Sequence, residues 1–161
     1  VPNIIFGDAA FLVQHRSGLE EFVQKGGTVY SNARMRNNEY PSWLRRLPKQ
    51  LKGLGKTDVG WNGNTGASAI NLALILGATV VYLLGFDMMN HDGESHFHNA
   101  YNHVTEKSTY NRFLKGMIEV KRDLPRMFPG AQVINLEDNT SKLEVFPKES
   151  LKAHFSERSA A

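Results

Sequence analysis

Residues 60–87 read GWNGNTGASAINLALILGATVVYLLGFD. The stretch predicts a polar glycine turn, a helix of small residues over 65–76 and a β-branched, fully buried strand over 79–84. A helix that begins after such a turn offers free N–H groups and the positive end of its dipole, which suits a phosphate. The strand leads to Asp87, at the edge of the sheet where α/β proteins bind ligands. We interpret the stretch as half of a nucleotide-binding α/β unit.

Strands and helices alternate on both sides of this stretch. Apolar spacing predicts a β-α-β unit over residues 3–30, a long helix over 106–124 that ends before Pro125, a strand over 132–136 and a short helix over 147–155. Alternation of this kind is typical of parallel strands joined by crossover helices. The predicted fold class is therefore α/β, a Rossmann-like, mostly parallel sheet with helices on both faces.

The pattern fits a single Rossmann-like domain over residues 1–155, followed by a frayed tail over 156–161. Residues 31–60 form an insertion over one face of the sheet, and their leucines together with Trp43 predict a short helix within it. A phosphate-binding glycine-rich turn usually follows the first strand of such a domain, and it is missing here. We therefore expect the chain to be a fragment that lacks its first β-α unit.

Composition excludes several classes of protein. The 161 residues include no cysteine, which removes disulfides, thiolate catalysis and cysteine-based zinc sites. No apolar run approaches the roughly 20 residues of a membrane span, and the first residues do not resemble a secretory signal. We expect a soluble protein of the cytoplasm.

Basic residues concentrate in one segment of a chain whose net charge is +3. They are Arg34, Arg36, Arg45, Arg46, Lys49, Lys52 and Lys56. The segment is either a solvated loop or a surface for phosphates or another polyanion. No nucleic-acid-binding motif accompanies it, so we do not expect DNA or RNA as a partner.

Polar residues follow the predicted strands at positions suited to ligand binding. Asn64, Thr65 and Gly66 open the central helix, where a glycine lets the backbone approach a ligand and Asn64 or Thr65 caps the helix. Asp8 follows the first strand and Asp87 the later one, so both lie on the ligand side of a parallel sheet. Each of these polar residues is equally suited to a structural role, as a helix cap or a brace for a loop.

Four histidines fall within thirteen residues: His91, His96, His98 and His103. Histidine carries protons near neutral pH, so the cluster predicts a general base that deprotonates a hydroxyl. His96 and His98 would share one side of an extended segment and are also suited to hold a metal with Asp92, Glu94 or His103, although no defined metal motif matches.

The order of these motifs resembles the lipooligosaccharide sialyltransferases of glycosyltransferase family 42, and more closely phage-encoded proteins with a related nucleotide-binding domain. The resemblance rests on residues 5–8, 30–32, 64–77, 81–87 and 95–103, then Asn135 and residues 141–143. Two features depart from the family: the glycine-rich nucleotide turn is missing, and no tyrosine between Met88 and Ser95 matches those that hold the donor phosphate.

The resemblance implies a domain that transfers a sugar from a cytidine monophosphate donor to an acceptor hydroxyl without a metal. It places Asp8, Asn32, Asn64, Thr65 and Gly66 in the nucleotide pocket, beside Asp87. It makes His103 the catalytic base, with His98 and His96 near it. It also implies a bacterium or a phage-infected host as the source.

Two alternatives remain open. One is a pyrophosphokinase of the pterin-processing type, since some archaeal proteins of that activity resemble residues 64–87. It would require a divalent metal on Asp87 or Asp8. The other is a phage or prophage accessory protein that keeps a nucleotide-binding shape for interaction only. The sequence does not specify an oligomeric state.

Overall fold

A computed structural model describes residues 1–35, 39–90, 106–137 and 141–158. The chain begins with the predicted β-α-β unit: β1 (Asn3–Phe6), α1 (Ala9–Gln24) and β2 (Thr28–Ser31). Asp8 starts α1, since its Oδ1 accepts a hydrogen bond from the N–H of Ala10 at 2.9 Å. β1 and β2 pair in parallel, as the intervening helix predicts.

The segment after β2 adds strands in place of the predicted helix. β3 (Leu44–Arg46) pairs in parallel with β2, which gives a sheet in the order β1-β2-β3. β4 (Lys49–Gln50) and β5 (Val59–Gly60) form a second, two-stranded sheet. The predicted helix was wrong because Pro48 falls in the middle of its apolar positions, where proline removes a helical hydrogen bond. Of its apolar positions, Leu51 is 77% exposed.

The second half of the chain repeats the alternation around a third sheet. α2 (Thr65–Ile75) leads to β6 (Val80–Leu83), and α3 (Lys107–Met127) leads to β7 (Gln132–Leu136). β8 (Lys148–Glu149) precedes α4 (Leu151–Arg158). The three strands are parallel, in the order β6-β7-β8. The described chain is therefore an α/β structure with small parallel sheets.

Apolar side chains of the described residues form two clusters. One joins α1 to β1 and β2 through residues such as Leu12, Leu19 and Val29. The other joins α2, α3, β6 and β7 around Ile70, Met117 and related side chains. α2 contacts both β1 and β6, so it lies where the two halves of the chain meet.

Three expectations about individual elements were wrong. β6 is not buried on both sides, since Val80 and Tyr82 are each 39% exposed. α3 does not end before Pro125 but continues to Met127, with the proline in its last turn. α4 extends to Arg158, so residues 156–158 of the predicted frayed tail are helical, while 159–161 lie outside the described residues.

Candidate functional site

The carboxyl ends of β1 and β2 meet the turn that precedes α2. Gly7 follows β1, and Asn32 follows β2. A side-chain carbon placed on Gly7 would lie 2.5 Å from Cζ3 of Trp61 and 3.1 Å from Oδ1 of Asn32. The indole ring and the amide therefore both lie against Gly7, and a residue without a side chain is needed there. We call Gly7, Asn32, Trp61, Asn64 and Gly66 the α2 rim.

Two polar side chains organise the first turn of α2. Asn64 caps the helix, since its Oδ1 accepts a hydrogen bond from the N–H of Ala67 at 2.7 Å. Ser68 Oγ donates to the carbonyl of Gly60 at 3.1 Å and accepts from Asn32 Nδ2 at 3.0 Å. Because the hydroxyl hydrogen of Ser68 is used in the bond to the Gly60 carbonyl, Asn32 must be the donor in its bond to Ser68. This contact orients the Asn32 amide.

Each of these asparagines uses one half of its amide and leaves the other half without a hydrogen-bond partner among the described residues. Oδ1 of Asn32 and Nδ2 of Asn64 are buried and make no hydrogen bond with the residues that the structure describes. The two residues are only 5% and 7% exposed. A buried polar atom in this state costs about 1–3 kcal/mol. A ligand with a donor for Asn32 and an acceptor for Asn64 would recover that free energy.

Positive charge lies beside the α2 rim. The Lys49 ammonium is 4.6 Å from the centre of the Trp61 ring, within the range of a cation–π contact. Lys49 forms no ion pair with a carboxylate of the described segments. The amino end of α2 adds the positive partial charge of its unpaired N–H groups. The rim is therefore suited to an anion.

The carboxyl ends of β6 and β7 approach the rim from the other side. A side-chain carbon on Gly66 would lie 2.6 Å from Cε1 of Phe86, so this ring covers the start of α2. The Phe86 carbonyl accepts a hydrogen bond from Ser141 Oγ at 2.9 Å, and Ser141 Oγ accepts one from Asn135 Nδ2 at 3.2 Å. The next carbonyl, that of Asp87, accepts from the N–H of Lys142 at 2.8 Å. Asp87 thus lies one residue from a ring that touches the rim.

Buried side chains hold the segment that supports the turn. We call Asn62, Asn71 and Asp123 the main-chain clamp, since each bonds backbone groups of residues 53–60. Asn71 accepts from the N–H groups of Gly55 and Gly60 at 3.0 and 2.8 Å and donates to the Gly55 carbonyl at 2.8 Å. Asn62 bonds both the N–H and the carbonyl of Gly53. Asp123, on α3, accepts from the N–H of Leu54 at 3.0 Å.

The carboxyl of Asp123 has a pKa below its ordinary range. Burial raises the pKa of this group, but the hydrogen bond from Leu54 and the guanidinium groups of Arg122 and Arg126 together outweigh burial. Arg122 Nε lies 3.3 Å and Arg126 Nη2 3.5 Å from Asp123 Oδ1. The clamp therefore contains a carboxylate that the fold keeps charged.

The predicted nucleotide residues do not all have the same role in the structure. Asn32, Asn64 and Gly66 are brought together at the rim, and Thr65 is the first residue of α2 between them. Asp8 lies next to Gly7, but its side chain is exposed and caps α1, which is the structural role considered for it.

The predicted catalytic residues lie outside the part of the chain that can be described. His96, His98 and His103 all fall within residues 91–105. Within the described ranges, no group of three histidine or acidic side chains is placed to hold a metal ion, and no helix is long and apolar enough to cross a bilayer.

Comparisons of the chain with protein-family models, with curated proteins and with solved structures found no match. Functional inference therefore depends on the geometry of the rim and on the chemistry of its side chains.

Sequence reasoning missed several residues that shape the site. Ser68 and Asn71 are fully buried, although the sequence analysis considered only the small and apolar positions of α2. Their signal was present, since two polar residues three apart interrupt an otherwise apolar helix. Lys49 gave no such signal, because its place beside Trp61 depends on the parallel pairing of β4 with β5.

Proposed function

We propose that the α2 rim binds the nucleotide of a nucleotide-sugar donor and that the chain is a glycosyltransferase-like domain. The observation that carries the proposal is the pair of buried, unpaired amide atoms on Asn32 and Asn64. They offer an acceptor and a donor on either side of a helix start that favours negative charge. A nucleotide supplies both the complementary polar groups and the phosphate.

The arrangement of the strands supports this placement. The two larger sheets have the orders β1-β2-β3 and β6-β7-β8, and α2 contacts both β1 and β6. If β1 lies beside β6, the combined strand order is β3-β2-β1-β6-β7-β8, which is that of a Rossmann-like sheet. In such a sheet the order in which strands are added reverses between β1 and β6. Ligands of such sheets bind at the carboxyl ends of the strands at that point. In that arrangement the α2 rim would occupy this position.

In the proposed reaction, a CMP-sugar donor binds with its phosphate near the start of α2 and the Lys49 ammonium. Both stabilise the negative charge that develops on the leaving phosphate. His103 accepts the proton of the acceptor hydroxyl as that oxygen forms its bond to the sugar and the bond to the phosphate breaks. This mechanism needs no metal.

Thermal unfolding with added nucleotides tests the proposal. CMP at about 100 times its Kd would raise the free energy of unfolding by about 2.7 kcal/mol, which corresponds to roughly 5–10 °C in Tm for a protein of this size. UMP and ADP test base selection. No shift with any nucleotide at millimolar concentration would overturn the proposal. A shift that requires a divalent cation and disappears with a chelator would favour the pyrophosphokinase.

Asn64→Asp makes the test specific to the rim. Aspartate caps a helix as well as asparagine does, so α2 is retained, but the variant replaces the Nδ2 donor with a negatively charged acceptor. We expect the shift with CMP to disappear. Ser150→Asp is the matched control, because Ser150 Oγ accepts from the N–H of Ala153 at the start of α4 and the variant changes the charge equally. It should keep the full shift.

A further inference from the structure

A cavity lies beside the Asn62–Gly63 turn. It has a volume of about 420 Å³ and is bounded by α3 and the segment around Leu51. We call it the α3 groove. Its volume falls in the range of small-molecule sites, roughly 300–1,000 Å³. Trp61 faces Gly7, whereas Gly63 faces the stem of Arg112, so the groove and the α2 rim are separate surfaces.

Close contact between the turn and α3 forms the floor of the groove. Gly116 has no side chain, and a carbon placed there would collide with the carbonyl of Asn62. Gly63 adopts a φ of 80°, and a carbon there would lie 3.2 Å from Cγ of Arg112. Because the Asn62 side chain is held by Gly53, the turn keeps a fixed position against α3. The walls are therefore built on ordered backbone.

Three cations line the groove and have no carboxylate partner in the described segments. Arg112 and Lys115 are three residues apart on α3 and lie one above the other, and Lys52 lines the groove from the other segment. None of the three forms an ion pair within the residues that the structure describes. Glu119, the acidic residue of the lining, pairs instead with Arg122 at 2.6 Å. The groove thus keeps a net positive charge.

Two large apolar side chains lie beside these cations. Leu51 is 77% exposed and precedes Lys52 in the sequence. Ile118 is 55% exposed and lies three residues after Lys115, on the same face of α3. The lining therefore combines a polycationic part with an apolar part. A ligand that fits both has a head with two negative charges and an apolar body.

We propose that the α3 groove binds a small organic phosphate, a molecule with a doubly charged phosphate head and an apolar body. Arg112 presents a planar fork that matches phosphate oxygens, and Lys115 and Lys52 add point charges. A phosphate monoester carries about −1.5 to −2 charge near neutral pH, which two of the three cations are enough to balance. The apolar body packs on Leu51 and Ile118.

Amide chemical shifts of the full chain at low salt test the proposal, with phenyl phosphate as the probe. Gly63 and Gly116 report on the groove, whereas Gly7 and Gly66 report on the α2 rim. We expect saturable shifts at Gly63 and Gly116 and an affinity at least roughly fivefold above that for inorganic phosphate, since burying part of a ring is worth more than 1 kcal/mol. Shifts confined to Gly7 and Gly66, or equal affinity for the two anions, would overturn the proposal.

Charge variants separate the groove from general attraction of anions. Arg112→Gln with Lys115→Gln should weaken the binding of phenyl phosphate about tenfold or more, since it removes two charge-assisted contacts. Lys121 lies about 180° around the axis of α3 from Arg112. Lys121→Gln should therefore leave the affinity unchanged. Equal affinity in the double variant and the unaltered protein would overturn the proposal.

Two further measurements keep the test decisive. If the double variant does not fold, the affinity of the unaltered protein for phenyl phosphate should still fall as the salt concentration rises, because salt screens exposed charges. An affinity that does not change with salt would overturn the proposal. Asn64→Asp should keep the shifts at Gly63 and Gly116. Loss of CMP binding in that variant would thus leave the groove intact and distinguish the two sites.

Discussion

At the scale of single residues, Asn71 links α2 to the segment that leads to the turn. It is fully buried on α2 and holds three main-chain groups of Gly55 and Gly60. No apolar residue can replace these bonds, because buried N–H and carbonyl groups need partners. Asn71 therefore determines the path of the chain toward the rim.

Replacing Asn71 with leucine tests this role. Asn71→Leu leaves two N–H groups and one carbonyl unsatisfied, so the free energy of unfolding should fall by about 3 kcal/mol or more. Urea unfolding measures the change. Asn3→Leu is the matched control, since this exposed amide has a single hydrogen bond, to the carbonyl of Val1. A loss below about 1 kcal/mol for Asn71→Leu would contradict the assigned role.

At the scale of elements, α3 contains Pro125, at which the sequence pattern predicts that the helix ends. Pro125 is exposed and lies in the last turn, and the helix continues to Met127. A proline inside a helix removes one N–H donor and crowds the preceding turn. The apolar face of α3 offsets the cost of the proline, because the buried apolar residues of this helix pack into the core around α2.

Pro125→Ala should therefore stabilise the protein. The variant restores the N–H donor and removes the steric conflict, and the greater freedom of the unfolded chain offsets part of the gain. We expect an increase of about 1 kcal/mol in the free energy of unfolding, measured with urea. Lys121→Ala, an exposed site on the same helix, should change it by less than about 0.5 kcal/mol. Destabilisation by Pro125→Ala would show that the proline is required.

Sequence patterns predicted the elements better than their connections. The β-α-β unit, α2 and β7 were confirmed within one residue at each end, because apolar periodicity and the caps Asp8 and Asn64 mark them. β3 was missed because its pairing depends on β2 rather than on its own three residues. Part of the rim followed from the rule that ligands meet the carboxyl ends of strands. The role of Lys49 depended on a contact that no local pattern encodes.

At the scale of the whole molecule, the clamp residue Asp123 joins distant parts of the chain. Its carboxylate lies on α3 and bonds Leu54, which is 69 positions away. Its pKa is lowered in the folded state. A lowered pKa adds stability that is fully present above the ordinary aspartate pKa of about 3.9 and is lost as pH falls through the folded value.

Acid titration of stability tests this link. The unaltered protein should be less stable than at neutral pH once the pH falls below about 4, and Asp123→Asn should reduce the size of that decrease. Near neutral pH, Asp123→Asn should cost about 1–3 kcal/mol, since it weakens a charged hydrogen bond to a buried N–H. Urea unfolding across the pH range measures both effects. Glu144→Gln, at an exposed position, is the control. Equal acid sensitivity in Asp123→Asn and the unaltered protein would contradict the assignment.

The clamp also makes the main-chain path of residues 53–60 independent of the exposed side chains in and beside this segment. Asn62, Asn71 and Asp123 bond main-chain atoms of Gly53, Leu54, Gly55 and Gly60, so these contacts do not depend on the exposed side chains nearby. Leu51, Lys52 and Lys56 are exposed and lie beside or within this tethered stretch. Mutational drift, or a randomised library at these three positions, can thus retune what the surface recognises while the scaffold beneath it stays unchanged.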